Sequence, residues 1–429
     1  MVPQQETELI QEKALTVSRI GHFRWVICAL LFFAAVINYI DRQVLSILAP
    51  DLQHSIGWSE IDYSNIVFAF QVAYACMFLV TGRLIDRIGT RLGFSLAIIW
   101  WSLAAMGHAV ANSAAAFGFW RFMLGIGEAA GFPASIKAIA EWFPKRERAL
   151  ATGLFNSGTN IGAIVAPVAV PLIAARWGWQ MAFIATGALG FFWLILWLNL
   201  YRRPEEHKQL SKPEFSYIRS DPAEPRHTIS WFPLLRLRQT WAFALGKFLT
   251  DPVWWFYLFW LPKFLNSVHG VKTADMISYL LAVYIVADIG SIAGGWLSSI
   301  LLKLGWSVNL ARKATMLLCA LCVVPVMAAS QTGSLWLSVS LVSLAAGAHQ
   351  GWSANLFTLS SDLFPRHAIG SVVGIGGFFG SLGGMLIAKL AGYILEWYGT
   401  YTPMFVIASI AYISALGVIH LLAPKLKPS

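Results

Sequence analysis

The feature that most constrains this chain is a succession of long apolar stretches, each about as long as a membrane-spanning helix. A helix needs roughly 20 apolar residues to cross a hydrocarbon core about 30 Å thick. Hydrophobic residues make up 57% of the 429 positions and charged residues 12%, which leaves too little polar surface for a water-soluble protein. We therefore predict an all-α integral membrane protein with twelve transmembrane helices. The predicted spans are 24–48, 61–82, 93–112, 115–140, 149–175, 180–201, 240–264, 276–302, 313–331, 335–360, 369–394 and 402–423.

The positions of the basic residues predict how the chain lies in the membrane. A net charge of +10 would also suit a nucleic-acid-binding protein, so the location of Lys and Arg has to decide. If the amino terminus is cytoplasmic, the loops on the outside hold little more than Arg176, Lys263 and Lys272. Nearly all other basic residues then fall inside, as the positive-inside rule requires. We predict that both termini are cytoplasmic and that the chain binds no nucleic acid.

A long polar stretch near the middle divides six predicted spans from six. It runs from about Tyr201 to Thr228 and is too short to be a domain of its own. Two bundles joined in this way are typical of secondary transporters, which hold their substrate between the halves. The predicted parts are a cytoplasmic tail (1–22), a six-helix bundle (23–201), a cytoplasmic loop (202–238), a second six-helix bundle (239–423) and a cytoplasmic tail (424–429). With no catalytic constellation in sight, we expect neither an enzyme nor a cofactor or metal.

The motif GRLIDRIGTR at 82–91 follows the second span. Glycines permit a tight turn and close helix approach, while an acid among arginines can form ion pairs on neighbouring helix ends. We predict a conformational latch made of Gly82, Asp86, Arg87, Gly89 and Arg91. The motif resembles the loop signature of the major facilitator superfamily, although Thr90 stands where that signature has a basic residue. A degenerate echo at 294–305 lacks the acid.

Charged residues inside predicted spans mark candidate functional sites, because each costs on the order of 2.5 to 3.5 kcal/mol near a helix centre. Asp41 and Arg42 in the first span lie about 25 Å along the helix. They project about 100° apart, so one can face a central cavity while the other faces a neighbouring helix. In the fourth span, Arg121 and Glu128 are two helical turns apart on one face. We predict that Asp41 and Glu128 carry protons and that Arg121 tunes them; the alternative is a static salt bridge.

The second half contributes one further charge pair and several polar and aromatic side chains. Lys247 and Asp251, at i and i+4 in the seventh span, can neutralise each other, and a structural and a functional role are both open. Each polar or aromatic group taken alone is more typical of helix packing, but their recurrence on several helices favours a site for a hydroxylated solute. The predicted substrate-binding residues are Arg42, Tyr39, Tyr74, Asn156, Thr159, Asn160, Lys247, Trp254, His349, Gln350, Trp352, Asn355 and Ser381.

The strings NYIDR at 38–42, GFP at 131–133, EWFP at 141–144 and SDLFP at 361–365 resemble the anion:cation symporter family within the major facilitator superfamily. That family includes bacterial sugar acid transporters, and DPVWWFYLFWLPKFL at 251–265 is most similar to the hexuronate branch. The resemblance implies that Asp41 and Glu128 carry protons and that Arg42 holds the substrate carboxylate. It also implies a glutamine in the fifth span for sugar hydroxyls, where this chain has Thr159 or Asn160.

We therefore predict a proton-coupled symporter that imports a small organic anion, most simply a hexuronate or aldonate, by alternating access. The alternatives are uptake of an aromatic or dicarboxylic acid, and efflux of a drug or metabolite by the same fold. The expected partners are the anionic substrate, protons and the lipid bilayer of a cell inner membrane, and we expect a monomer.

Overall fold

The computed structural model describes residues 21–220, 231–364 and 366–425, without the side chains of 82, 83, 86, 145, 146, 148–150, 231, 232, 360, 361 and 366–370. Every regular element in this part of the chain is a helix. The first half contains α1 (Phe23–Ile56), α2 (Glu60–Ile88), α3 (Thr90–Gly107), α4 (Ala114–Glu128), α5 (Gly131–Trp142), α6 (Lys145–Trp177) and α7 (Trp179–Leu200). Two short helices follow, α8 (Lys212–Ile218) and α9 (Trp231–Leu235). The second half contains α10 (Arg238–His269), α11 (Ile277–Lys303), α12 (Val308–Val323), α13 (Leu335–Leu363), α14 (Arg366–Tyr398) and α15 (Thr402–Leu422).

Each of the twelve predicted spans coincides with helix. Within the described residues, nine helices are long and apolar enough to cross a membrane on that ground alone. The remaining spans are α4 with α5, α10 and α13. These are interrupted or carry polar side chains inside, such as Lys247 in α10 and His349 in α13, which lowers their apolar character. Polar side chains do not always have this effect, because α1 meets the criterion although it carries the buried Asp41 and Arg42.

The fourth span, predicted as one helix over 115–140, consists of two helices that meet directly after Glu128. Proline has no backbone N–H, so Pro133 leaves the carbonyl of Ala129 without its usual donor four residues on. The Thr81 hydroxyl from α2 donates to that carbonyl instead, at 3.2 Å. The Ala130 amide donates to the Gly127 carbonyl, three residues back, at 3.3 Å. The break therefore makes Glu128 the last residue of α4.

The helices pack as two halves that meet along three contacts. In the first half α1 packs on α6 and α7, α2 on α4, and α3 on α7; in the second, α11 and α12 pack on α13, and α10 on α14 and α15. The halves touch where α1 meets α10, α2 meets α14, and α6 meets α11. Following the predicted topology, we call the face where α1 begins and α2 ends the inner face, and the opposite one the outer face.

Close helix approach in this fold depends on small residues. A Cβ added at Gly158 of α6 would lie 2.3 Å from the Phe32 carbonyl oxygen of α1, and one at Gly162 would lie 2.5 Å from that of Val36. Side chains such as Phe33 and Phe192 are exposed on the outside of the molecule. Lipid accommodates such apolar faces, so packing inside the bundle relies on shape and small residues.

Candidate functional site

A cavity of about 290 Å³ lies between the two halves. Helices α1 to α6 form one wall, and α10, α11, α13 and α14 form the other. Its lining mixes polar and aromatic side chains, and a volume of this order suits a small organic solute. The charged lining residues with described side chains are Arg42 and Glu128 on the first wall and Lys247 and Asp251 on the second, with His349 also on the second wall.

On the first wall, Arg42 of α1 and Glu128 of α4 form a buried ion pair. Glu128 Oε2 accepts hydrogen bonds from Arg42 Nη2 at 2.7 Å and from Nε at 2.9 Å. Arg42 Nη2 also donates to Asn38 Oδ1 at 3.3 Å. Arg42 Nη1 makes no hydrogen bond to the described residues, and Glu128 Oε1 has no partner among them. Donor and acceptor capacity is therefore left over on both members of the pair.

Four aromatic rings surround the Arg42 guanidinium. Its carbon Cζ lies 4.8 Å from the ring centroid of Tyr39, 5.0 Å from Tyr74, 5.2 Å from Phe70 and 5.4 Å from Trp255. The quadrupoles of these rings attract a cation, and the effect is larger away from water. Three of the rings come from the first half and Trp255 comes from the second, so this arginine sits where the two halves meet.

Asp41 and Arg121 lie behind this pair, inside the first half, and do not line the cavity. Arg121 Nη2 donates to the backbone carbonyl of Arg42 at 2.7 Å. Asp41 is buried, and neither carboxyl oxygen has a hydrogen-bond partner of ordinary geometry among the described residues. Its polar surroundings are Thr186 of α7, Glu128 and Arg121. The adjacent residues Asp41 and Arg42 thus project to different sides of α1, the arginine toward the cavity and the acid toward a neighbouring helix.

The second wall holds another ion pair and an ordered histidine. Lys247 Nζ and Asp251 Oδ2 of α10 are 2.8 Å apart. The His349 ring of α13 stacks on Trp254, with centroids 5.2 Å apart and planes inclined by 7°. His349 Nδ1 and the Tyr412 hydroxyl are 2.6 Å apart. These contacts fix the orientation of the imidazole of His349, a residue that lines the cavity.

Comparison with known proteins now identifies the family. The family model of the Major Facilitator Superfamily matches residues 31–388. The chain belongs to the major facilitator superfamily. Among solved structures, this major facilitator is similar to a bacterial homologue of the human lysosomal transporter Spinster in an inward-facing, occupied conformation, with a TM-score of 0.76 and 20% sequence identity over 94% of this chain and 98% of that one. At that identity the likeness shows the fold alone.

Relatives of higher sequence identity carry names that describe their substrates. The Escherichia coli K12 hexuronate transporter is 33% identical over 400 residues, or 91% of this chain and 92% of the relative. The Dickeya chrysanthemi galacturonate transporter is 36% identical over 71% of this chain and 90% of the relative. The D-galactonate transporter of Escherichia coli O6:H1 is 30% identical over 94% of this chain and 96% of the relative. With its apolar helices, this major facilitator is a multi-pass membrane protein.

Most of the predicted substrate-binding residues of this major facilitator lie on the cavity. Trp352 and Asn355 do not. Trp352 is fully buried against Tyr412, with ring centroids 5.4 Å apart. Asn355 donates to the carbonyls of Gly294 and Gly351, at 3.0 and 2.9 Å, where α11 and α13 approach closely. Both side chains are used for helix packing. The predicted residues on the cavity are Tyr39, Arg42, Tyr74, Asn156, Thr159, Asn160, Lys247, Trp254, His349, Gln350 and Ser381.

The sequence reasoning missed two cavity residues that contact Arg42, namely Asn38 and Trp255. Asn38 precedes Arg42 by four residues, a spacing that places both on one helix face, so the string NYIDR contained the signal. Trp255 belongs to the WW pair of α10, but the sequence does not indicate which of the two rings would reach Arg42. That contact crosses between the halves and depends on how they dock.

The predicted latch lies at the inner ends of α2 and α3. Gly89 separates the two helices with φ +87°, a conformation that favours glycine. Arg91 donates to the Leu198 carbonyl of α7, whereas Arg87 is exposed. Lys137 of α5 donates to the Ile85 carbonyl at 2.9 Å. Gly82 and Asp86 lie outside the residues whose side chains are described, so the ionic part of the latch stays a prediction.

The cavity is closed toward the outer face. Lys263 of α10 forms an ion pair with Glu60 of α2, with Nζ–Oε2 at 2.6 Å. The Tyr63 hydroxyl of α2 donates to the Phe259 carbonyl of α10 at 2.5 Å. Lining residues such as Ser135 and Phe357 continue toward the inner ends of α5 and α13. Contacts between the halves therefore seal the outer side, while the cavity extends inward.

Proposed function

We propose that this chain is a proton-coupled symporter that imports sugar acids, such as hexuronates or aldonates, by alternating access. The observation that carries the proposal is the Arg42–Glu128 ion pair on the cavity wall, a cation for a carboxylate beside an acid that can take up a proton. The names of the hexuronate, galacturonate and galactonate transporters support the substrate class. The polar and aromatic lining supports a solute with several hydroxyl groups.

Competition between Glu128 and the substrate for Arg42 provides the coupling. A proton on Glu128 weakens its bond to the guanidinium, because it removes the negative charge that the cation attracts. Arg42 then binds the substrate carboxylate, with two parallel hydrogen bonds if Nη1 takes part. The protein with its bound substrate and proton then opens toward the inner face. Loss of the proton on the inner side restores the ion pair and expels the anion.

Asp41 and Arg121 complete the proton site in this proposal. An unpaired carboxylate in an apolar environment is costly, whereas a protonated carboxyl is far less so. Arg121 lies near both acids, so its charge favours ionisation of one or the other. Since moving one charge through 100 mV is worth about 2.3 kcal/mol, a monoanion carried with two protons gains from the membrane potential. With one proton, only the pH gradient drives uptake.

A binding experiment tests the substrate site. We expect galacturonate to raise the melting temperature of the purified protein and the neutral sugar galactose to leave it unchanged. The Arg42→Ala variant should lose the galacturonate shift, because the carboxylate loses the guanidinium that is proposed to bind it. Arg176→Ala removes an exposed arginine and should keep the shift. A normal shift in Arg42→Ala would remove Arg42 from the substrate site.

A further inference from the structure

A second ion pair faces the cavity from the opposite half. Lys247 and Asp251 lie on α10, with Nζ and Oδ2 2.8 Å apart and side chains that are 8% and 19% exposed. Both line the cavity that Arg42 and Glu128 also line. Each wall therefore presents one cation held by one acid.

The order of the two residues argues against a role in helix stability. On a helix, an acid that precedes its basic partner by four residues is the more favourable order. Here the lysine comes first. A largely buried ion pair is also often no better for stability than apolar side chains of similar size. Stability alone therefore does not account for this pair.

Glycines of α14 make space for the pair. A Cβ at Gly380 would lie 2.1 Å from Asp251 Oδ2, and one at Gly376 would lie 3.0 Å from Lys247 Cδ. An ammonium group has three N–H donors, and among the described residues Asp251 is the only oxygen partner of Lys247. The Phe357 ring lies 4.4 Å from Nζ. Lys247 thus keeps hydrogen-bonding capacity for a ligand.

The two cations are within reach of one small molecule. Trp255, whose ring lies 5.4 Å from Arg42 Cζ, follows Asp251 by four residues, or about 6 Å along the helix axis. A six-carbon chain with a charge-assisted hydrogen bond of about 2.8 Å at each end can contact both sites. We propose that Lys247 and Asp251 form a second, proton-linked carboxylate subsite, so that the chain takes sugar acids with a carboxylate at each end. This inference rests on the proposed function.

Charge balance makes the subsite proton-linked. A second substrate carboxylate bound to Lys247 would lie beside the Asp251 carboxylate, and the two negative charges would repel each other. A proton taken up from water by Asp251 removes this repulsion. Binding a diacid therefore takes up one more proton than binding a monoacid of the same length. The titratable groups around Asp251 are Lys247 on its own helix, Tyr39 of α1 and Tyr412 of α15, with His349 of α13 beside Lys247. From α14 the described neighbour is Gly380.

Galactarate and galactonate provide a matched pair of probes, because they differ only in the group at one end of the chain. Their dissociation constants are measured by calorimetry on the purified protein at several pH values between about 6 and 8, where sugar carboxyls are ionised. We expect the slope of log Kd against pH to be steeper by one for galactarate. Lys247→Met should weaken galactarate at least tenfold and galactonate less than threefold. Asp251→Asn should remove the extra unit of slope. The control Lys303→Met, at an exposed position, should leave the dissociation constants of both ligands unchanged.

Equal slopes for the two ligands in the wild type, or equal weakening of both by Lys247→Met, would overturn the subsite. Retained galactonate binding shows that a variant is folded, and should Lys247→Met not fold, the wild-type slopes and Asp251→Asn decide. Failure of the proposed function looks different. In that case neither acid binds the wild type, whereas failure of the subsite leaves galactonate binding through Arg42 intact.

Discussion

At the level of single residues, coupling depends on ionisable side chains that are buried and have only some of their hydrogen-bonding atoms paired. Arg42 and Glu128 are each about 2% exposed. Removing one partner of such a pair leaves an uncompensated buried charge, which costs about 3 to 5 kcal/mol. A proton or a substrate carboxylate that replaces one partner avoids that cost. Exchange of partners at one arginine can therefore link proton binding to substrate binding.

Close packing at single glycines is testable at the same scale. Gly158→Ala should lower stability by about 1 to 3 kcal/mol, because its Cβ would meet the Phe32 carbonyl of α1. Gly153, on the same helix, has nothing within 4 Å of an added Cβ. Gly153→Ala should leave stability unchanged or raise it by up to about 1 kcal/mol. Apparent melting temperatures in detergent provide the measurement, and equal temperatures for the two variants would contradict the packing described.

Most of the predicted substrate-binding residues line the cavity, but the sequence did not predict their arrangement. The energetic penalty of a charge in a span pointed to Arg42, Glu128, Lys247 and Asp251, which line the cavity, and to Asp41 and Arg121, which do not. Asp41 points away from the cavity because adjacent residues of a helix project about 100° apart. The sequence could not indicate which of Asp41 and Arg42 would face the cavity. Trp352 was misplaced, since polar and aromatic composition does not distinguish a cavity face from a packing face.

At the scale of elements, apolar length and composition alone mark nine of the described helices as membrane spans, while the interruptions of the helices required side-chain context. Pro133 and its glycine neighbours were visible in the fourth span, yet transmembrane helices often tolerate such residues. The break between α4 and α5 is stable because Thr81 of another helix satisfies the Ala129 carbonyl. That partner lies 48 residues away in sequence, beyond the reach of local patterns.

The break makes a prediction for Thr81. Thr81→Val keeps the size of the side chain but leaves the buried Ala129 carbonyl without a donor, which should cost about 1 to 3 kcal/mol. Thr315→Val is the matched control. The Thr315 hydroxyl donates to the Ala311 carbonyl of its own helix at 2.9 Å, which also accepts a backbone hydrogen bond, so its loss should cost less. Thermal unfolding compares the stabilities of the two variants. A Thr315→Val variant that is less stable than Thr81→Val would refute this role of Thr81.

At the scale of the whole molecule, the cavity charges are divided between two halves that must move relative to each other. Contacts of Glu60 with Lys263 and of Tyr63 with Phe259 hold the outer side closed. Opening that side requires these bonds to break, while Trp255 of the second half leaves the Arg42 guanidinium of the first. Substrate that bridges the two walls would favour closure around it. The docking of the halves depends on contacts remote in sequence, so the existence of the cavity was predictable but the closure of its outer side was not.

We propose that protonation of Glu128 couples the proton gradient to sugar acid uptake. This coupling is tested by transport of labelled galacturonate by Glu128→Gln in proteoliposomes, with Glu206→Gln, at an exposed position, as the control. Glutamine mimics the protonated acid, so we expect counterflow exchange to persist while accumulation driven by a pH gradient is lost. The control should accumulate like the wild type. Undiminished pH-driven accumulation in Glu128→Gln would contradict the account.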